Sequence, residues 1–216
     1  MFTDALKDDI ISMNPVTLCK APSKDTRMII KPFSKSEALA IIDTVPEKIR
    51  AFYALGFYAG MRVGEILALK ASDINLDKNF IRVNKSKMKG LVGKTKTFSS
   101  IRDIEILEPL YHILKNHLEK FTYKDDMFLT KDMKPYTNYE TLQKVHWIPA
   151  LKKLNLEYRN QYQMRHTFAT LMISAKENIL WVAKMMGHSD SNTTLKYYAK
   201  YVPNHNHKNG SLFLAS

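Results

Sequence analysis

Cysteine is nearly absent. Cys19 stands alone among 216 residues, so an internal disulfide is impossible and zinc sites built from several thiolates are excluded. Acidic residues are scarce too, 21 against 33 lysines and arginines, which leaves a formal net charge of +12 and a pI of about 9.6. That balance favours a polyanionic partner, nucleic acid before membrane, although basic ribosome-associated and secreted proteins share it. Long apolar runs are missing: no stretch of 18 apolar residues occurs, and "MFTDALKDDIISMNPV" at the N-terminus lacks the basic and apolar regions of a signal peptide. Nothing marks the chain for export or membrane insertion, and a reducing cytosol is the expected compartment.

What is present suits one globular domain with a short appendage, since 45% of residues are hydrophobic and 11% aromatic. Residues 2–13 fit a short amphipathic helix, and "NPVTLCKAPSKD" after them has the composition of a connecting segment. Ser34 and Glu37 form a Ser-x-x-Glu capping box, and "PEKIRAFYALGFYAG" has proline at a helix start and glycine at its end. "MRVGEILALKASDI" reads as a third helix. "NFIRVN" and "TFSSIRDIEIL" read as strands joined by the lysine-rich loop "KSKMKGLVGK". Helical patterns follow over 107–121, 139–154, 164–175, 178–186 and 192–200. The expected fold class is mixed, mainly α with a small antiparallel β-sheet.

Four stretches could carry chemistry. Arg62 and Glu65 are spaced one helical turn apart, as either a simple surface ion pair or an anion-binding guanidinium held by a carboxylate. Lys85, Lys87, Lys89 and Lys94 read as a solvated edge, whereas Lys96 adjoins the alternating segment that a strand would hold at fixed height. Arg165 and His166 open the helix "MRHTFATLMISA", where the positive end of the dipole disfavours cations unless an anion joins them. The bland alternative is a snorkelling arginine beside a packed histidine. His188 follows Gly187, which reads as a helix C′ glycine, and "SDSNTT" offers N-caps for a new helix that would bring Tyr197 back towards it. "NHNH" at 204–207 lies in a polar tail without an acidic cluster and makes no metal site.

The contexts "AGMRVGEILALK", "KTKTFSSIRDIEI", "MRHTFATLM" and "MGHSDSNTTLKYY", in that order, resemble the catalytic domain of tyrosine recombinases, the phage-integrase and Xer-like family. The resemblance spans residues 28–202 and implies that family's catalytic-domain fold. It implies that Arg62 of Arg-x-Gly-Glu and Arg165 clamp a scissile phosphate. It implies that Lys96, followed by Thr97, Ser99 or Ser100 and Arg102, protonates a departing 5′-oxygen, with Lys94 as the lesser alternative. His188 of Met-Gly-His would bond the same phosphate or help deprotonate the nucleophile Tyr197, nine positions on, leaving Tyr198 and Tyr201 as bystanders. The sequence departs from the family at Tyr162, where a histidine usually stands three residues before the arginine. A phenol of ordinary pKa about 10 can donate a hydrogen bond to phosphate but is a poor proton shuttle at neutral pH.

The implied activity is site-specific cleavage and rejoining of double-stranded DNA through a 3′-phosphotyrosyl intermediate, without metal, ATP or a small-molecule cofactor. A homo-oligomer on DNA, a tetramer, and a nucleoid-associated cytoplasmic setting belong to the same expectation. Residues 1–27 read as the end of a preceding helical region and a linker. Residues 203–216 read as a tail whose "SLFLA" could dock on a neighbouring protomer or on its own domain. Two competing readings are a catalytically silent DNA-binding relative and a type IB topoisomerase, whose motif surroundings fit less well.

Overall fold

Ser34 caps the first long helix as its sequence requires: its hydroxyl accepts from the Glu37 N–H at 3.1 Å, and the Glu37 carboxylate accepts from the Ser34 N–H at 2.6 Å. The computed structural model describes residues 2–18, 30–94 and 101–202. The helices are α1 (Phe2–Lys7), α2 (Lys35–Thr44), α3 (Glu47–Ala59), α4 (Val63–Ala68) and α5 (Glu108–Lys120). They continue with α6 (Tyr139–Leu142), α7 (Ile148–Lys153), α8 (Gln163–Ser174), α9 (Ile179–Met186) and α10 (Ser191–Tyr198). Strands β1 (Ile74–Asn75), β2 (Phe80–Val83) and β5 (Arg102–Glu105) form one antiparallel sheet in the order β1-β2-β5. Strands β3 (Lys85–Met88) and β4 (Leu91–Lys94) form a separate antiparallel hairpin. The architecture is mainly helical with small antiparallel sheets, as the sequence implies.

The core gathers on α3, which is buried along nearly its whole length and packs against both α5 and α8. Tyr53 stacks on Trp147 with ring centroids 5.5 Å apart, and Phe33 meets the same tryptophan edge-on at 5.6 Å. Residues 30–33 are pinned to α8, where the Phe33 N–H donates to Thr167 Oγ1 at 2.9 Å. Arg159 holds them from the other side, donating to the Pro32 carbonyl and to Glu37 while its guanidinium lies over the Phe33 ring.

Four expectations need correction. The third helix ends at Ala68 instead of Ile74, and a 3-10 turn over Ala71–Asp73 replaces its second half. The Lys70 N–H is captured by the Asp73 carboxylate at 2.8 Å, while Ser72 bonds Asp125 from a distant turn, so side chains outcompete the helical ladder. The lysine-rich loop is the β3–β4 hairpin. Lys89 and Gly90 both have positive φ, 49° and 80°, the two-residue turn whose twist matches paired strands. The opening helix stops at Lys7 rather than residue 13. In the 139–154 helix, one π turn over Gln143–Trp147 interrupts the α-helix just before Pro149, whose ring would clash with a regular preceding turn. Cys19, Lys96, most of the second predicted strand's first half and the 203–216 tail lie outside the described residues.

Candidate active site

The turn from α3 into α4 builds one wall. Gly60 ends α3 at φ +60, and a Cβ there would lie 2.5 Å from the Phe168 ring, so both the backbone and the space demand glycine. Arg62 then caps α4: its backbone N–H donates to Glu65 Oε2 at 2.9 Å and its guanidinium to Oε1 at 2.8 Å. Between them, Gly64 lets β3 pass closely, because a Cβ would sit 2.6 Å from Ser86 Oγ and 2.9 Å from the Lys87 carbonyl. The Arg-x-Gly-Glu spacing therefore encodes a cap, a close approach and a buried acid in four residues.

Glu65 serves a second guanidinium. Arg102, the first residue of β5, donates from Nη1 and Nη2 at 3.1 and 2.9 Å, and its Nε donates to the Met185 carbonyl at 2.8 Å. Burial pushes the Glu65 carboxyl up, but the Arg102 bonds and the charges of Arg102, Arg62 and Arg165 outweigh it and hold the group at about 2. Gly187 at the end of α9 packs against Arg102, where a Cβ would approach Nη1 to 2.8 Å. One carboxylate thus orders Arg62 and Arg102 and links α4, β5 and the α9 terminus.

Arg165 is the third residue of α8 and only 2% exposed. Its Nη1 donates to the Gly60 carbonyl at 2.7 Å, but Nη2 is buried with no partner among the described residues. Burial, then the Arg62 charge, lowers its pKa to about 10, so it stays protonated at neutral pH. A buried, charged donor aimed at nothing is costly unless an anion completes it.

His188 follows the left-handed Gly187 cap of α9, and its Nδ1 pairs with Thr194 Oγ1 on α10 at 2.7 Å. Burial first, then Arg165, Arg62 and Arg102, depress its pKa to about 3, leaving a neutral imidazole at pH 7. Thr194 and Tyr197 are three apart on α10, so the histidine is tied to the helical face that carries the tyrosine. Tyr197 is 39% exposed, whereas Tyr198 is 2% exposed and pairs its hydroxyl with His166 Nδ1. Burial, with the Arg165 charge behind it, lowers His166 to about 4 and makes it a neutral packing partner. Tyr162, just before α8, is partly exposed and meets the His166 ring edge-on at 5.0 Å.

Of the residues singled out in the sequence, Arg62, Arg165 and His188 come together near enough to feel one another's charge, and Tyr162 lies near Arg165. Tyr197 stands on α10 next to Tyr198, with ring centroids 6.4 Å apart. Lys96 lies outside the described residues. Lys85 and Lys87 are already engaged, by Asp73 at 2.7 Å and by the Tyr136 carbonyl at 3.1 Å. Sequence reasoning missed the Glu65–Arg102 bridge, although an arginine entering a strand at the end of the Lys-Thr-x-x-Ser-x-Arg pattern was its signal.

The sequence profile of the phage integrase family matches residues 30–205. The chain is 27% identical over 214 residues to the putative defective protein IntQ of Escherichia coli K12, covering 86% of this chain and 54% of that protein. It is 28% identical over 200 residues to the tyrosine recombinase XerD of Staphylococcus saprophyticus, covering 89% and 65%. Among solved structures, the Tn1549 transposon integrase in complex with circular intermediate DNA matches 99% of this chain and 74% of its own at a TM-score of 0.74 and 21% identity. A lambda integrase dimer bound to a core site matches 96% and 58% at a TM-score of 0.65 and 17% identity. The chain spans about half the length of the first of these relatives, 54%. With its profile match across most of the sequence, the chain belongs to the phage integrase family.

Proposed function

We propose that residues 28–202 form the catalytic domain of a site-specific DNA recombinase that cuts and rejoins double-stranded DNA through a 3′-phosphotyrosyl intermediate. The observation that carries this reading is the buried Arg165 guanidinium, whose Nη2 has no partner among the described residues while the two neighbouring arginines, Arg62 and Arg102, share a single carboxylate. Such a site has a deficit of negative charge that one phosphodiester fills. Arg62 and Arg165 hold the non-bridging oxygens, and the neutral His188 donates to the same phosphate or takes the phenolic proton from Tyr197. The Tyr197 oxygen forms its bond to phosphorus as the bond to the 5′-oxygen breaks, and Lys96 gives that oxygen a proton. The phosphotyrosyl bond keeps the energy of the broken one, so rejoining needs no ATP.

Tyr162 would donate its hydroxyl to the phosphate in place of the family's histidine. Residues 1–27 then belong to a preceding helical region and its linker, and the 203–216 tail docks between protomers of a tetramer on DNA in a cytoplasmic, nucleoid-associated setting. Tyr162 also favours a second reading, a relative that binds DNA without cutting it; the similar IntQ is itself described as putative defective. Arg165→Ala separates the two. Strand cleavage falls by about 10²- to 10³-fold while non-specific duplex affinity stays within about twofold, because many other lysines supply the electrostatic attraction. Filter binding in which this variant loses all DNA affinity, or cleavage that is unchanged, contradicts the assignment.

A further inference from the structure

A threonine inside a helix commonly spends its hydroxyl on a carbonyl one turn back. Thr167 and Thr170 of α8 do so, donating to the Gln163 and Thr167 carbonyls at 2.7 and 3.0 Å. Thr194 of α10 does not. Its Oγ1 turns instead to His188 Nδ1, 2.7 Å away, and has no other partner among the described residues. Thr194 is 0% exposed, so bulk solvent does not reach that hydroxyl. The backbone of His188 is held as firmly, with its N–H donating to the Ala183 carbonyl at 3.0 Å and the Gly187 carbonyl accepting from Arg62 Nη2 at 3.5 Å. The ring itself is half-buried and lines a cavity of about 480 Å³ with Arg102 and Gly187.

This one contact decides where the ring proton lies. A neutral imidazole carries a single N–H, and the hydrogen bond made at one nitrogen selects which nitrogen bears it. A proton on Nδ1, donated to Oγ1, leaves the Thr194 O–H buried and unpaired at a cost of roughly 1 to 3 kcal/mol. With Thr194 donating to a bare Nδ1, both groups are satisfied and the proton sits on Nε2. We infer that Thr194 is a positioning residue: by donating to Nδ1 it keeps His188 in the Nε2–H form, so that the histidine gives a hydrogen bond to the phosphate and does not take the proton of Tyr197. The inference rests on the proposed DNA-cutting function and decides between the two roles that function leaves to His188. A protonated Nε2 has no lone pair for a phenolic proton, and Nδ1 is already occupied. That proton leaves to water, which reaches the 39% exposed Tyr197. Thr194 lies one turn before Tyr197 on the same helix, so seating the nucleophile and setting the histidine are one event.

Nuclear magnetic resonance of isotopically labelled histidine nitrogens reads the tautomer in the full chain without DNA, and loss of the signal in His188→Gln identifies it. The wild-type spectrum shows a protonated Nε2 and a bare Nδ1 at His188. Thr194→Val keeps the shape, loses the hydroxyl and removes that preference. Its strand cleavage on a nicked suicide duplex falls about 10- to 100-fold, the scale for groups that orient a functional histidine, while duplex affinity holds within about twofold. Thr194→Ser restores both the tautomer and the rate. His188→Gln, whose amide N–H donates from a similar place but takes no proton, cleaves faster than His188→Ala. A proton on Nδ1 in the wild type overturns the inference whether or not any variant folds. Full cleavage by Thr194→Val overturns it too, as does His188→Gln cleaving no better than His188→Ala. Absence of cleavage by the wild-type chain sinks the proposed function and the phosphate role of His188 with it, whereas wild-type cleavage that Thr194→Val leaves intact sinks the inference alone.

Discussion

At the scale of single residues, Glu65 decides the site's geometry. It is 2% exposed and accepts from two guanidiniums, so Glu65→Gln removes the charge and leaves Arg102 buried without its counter-ion. Loss of one partner from such a pair costs roughly 3 to 5 kcal/mol, which thermal unfolding will read directly. Strand cleavage falls further than binding, because Arg62 loses the carboxylate that aims it. The two adjacent tyrosines separate the roles of surface and core. Tyr198→Phe removes the hydroxyl that pairs with His166 Nδ1 and destabilises by about 1 to 3 kcal/mol, yet leaves covalent chemistry in place. The spacing of Arg62, Arg165, His188 and Tyr197 was legible because each lies in a short local pattern. The Arg102 contact was not, because Glu65 is 37 positions away and no local period encodes that meeting.

At the scale of elements, the sequence conveyed type better than extent. The helices with strong caps, α2 from Ser34 and α9 up to Gly187, begin or end where their capping residues stand. The third helix overran because its apolar period continues past Ala68, while the competing bonds to Asp73 and Asp125 come partly from a turn more than 50 residues on. The β3–β4 hairpin was read as a loop because lysine is rare in strands, although Gly64 on α4 and Gly90 in the turn reserve its place. Gly187 joins two elements at once, with φ +66 and Arg102 against its Cα face. Gly187→Ala therefore strains the backbone and displaces Arg102, at a cost of about 1 to 3 kcal/mol. Unfolding curves check the stability loss, and cleavage assays will show a shifted His188 as reduced turnover with DNA affinity retained.

At the scale of the whole molecule, charge and acid response follow from the same cluster. On the proposed function, the net charge of +12 predicts a DNA affinity that falls steeply and linearly in log–log coordinates as salt rises. His188 and His166 titrate at about 3 and about 4 in the folded chain, below the ordinary histidine value of 6.5. The unfolded chain therefore takes up protons first, so stability is complete above about pH 6.5 and declines as pH falls towards 4. Glu65, lowered to about 2, extends that decline below its ordinary 4.5. Calorimetry between pH 7 and 3 checks the sign: a melting temperature that rises on acidification contradicts the buried neutral histidines. Deletion of residues 204–216 tests the tail separately, with loss of assembly on DNA as the expected outcome and unchanged assembly removing the docking role. Among the described residues no helix is long and apolar enough to cross a membrane.

The central claim is that Tyr197 attacks a phosphodiester held by Arg62 and Arg165. Its most direct measurement is the covalent adduct trapped on nicked suicide duplexes, digested and mapped by mass spectrometry. The account predicts a phosphonucleotide on the peptide carrying Tyr197, lost in Tyr197→Phe and retained in Tyr198→Phe. An adduct on Tyr162, Tyr198 or Tyr201, or bound DNA that yields no adduct from the wild-type chain, would contradict it.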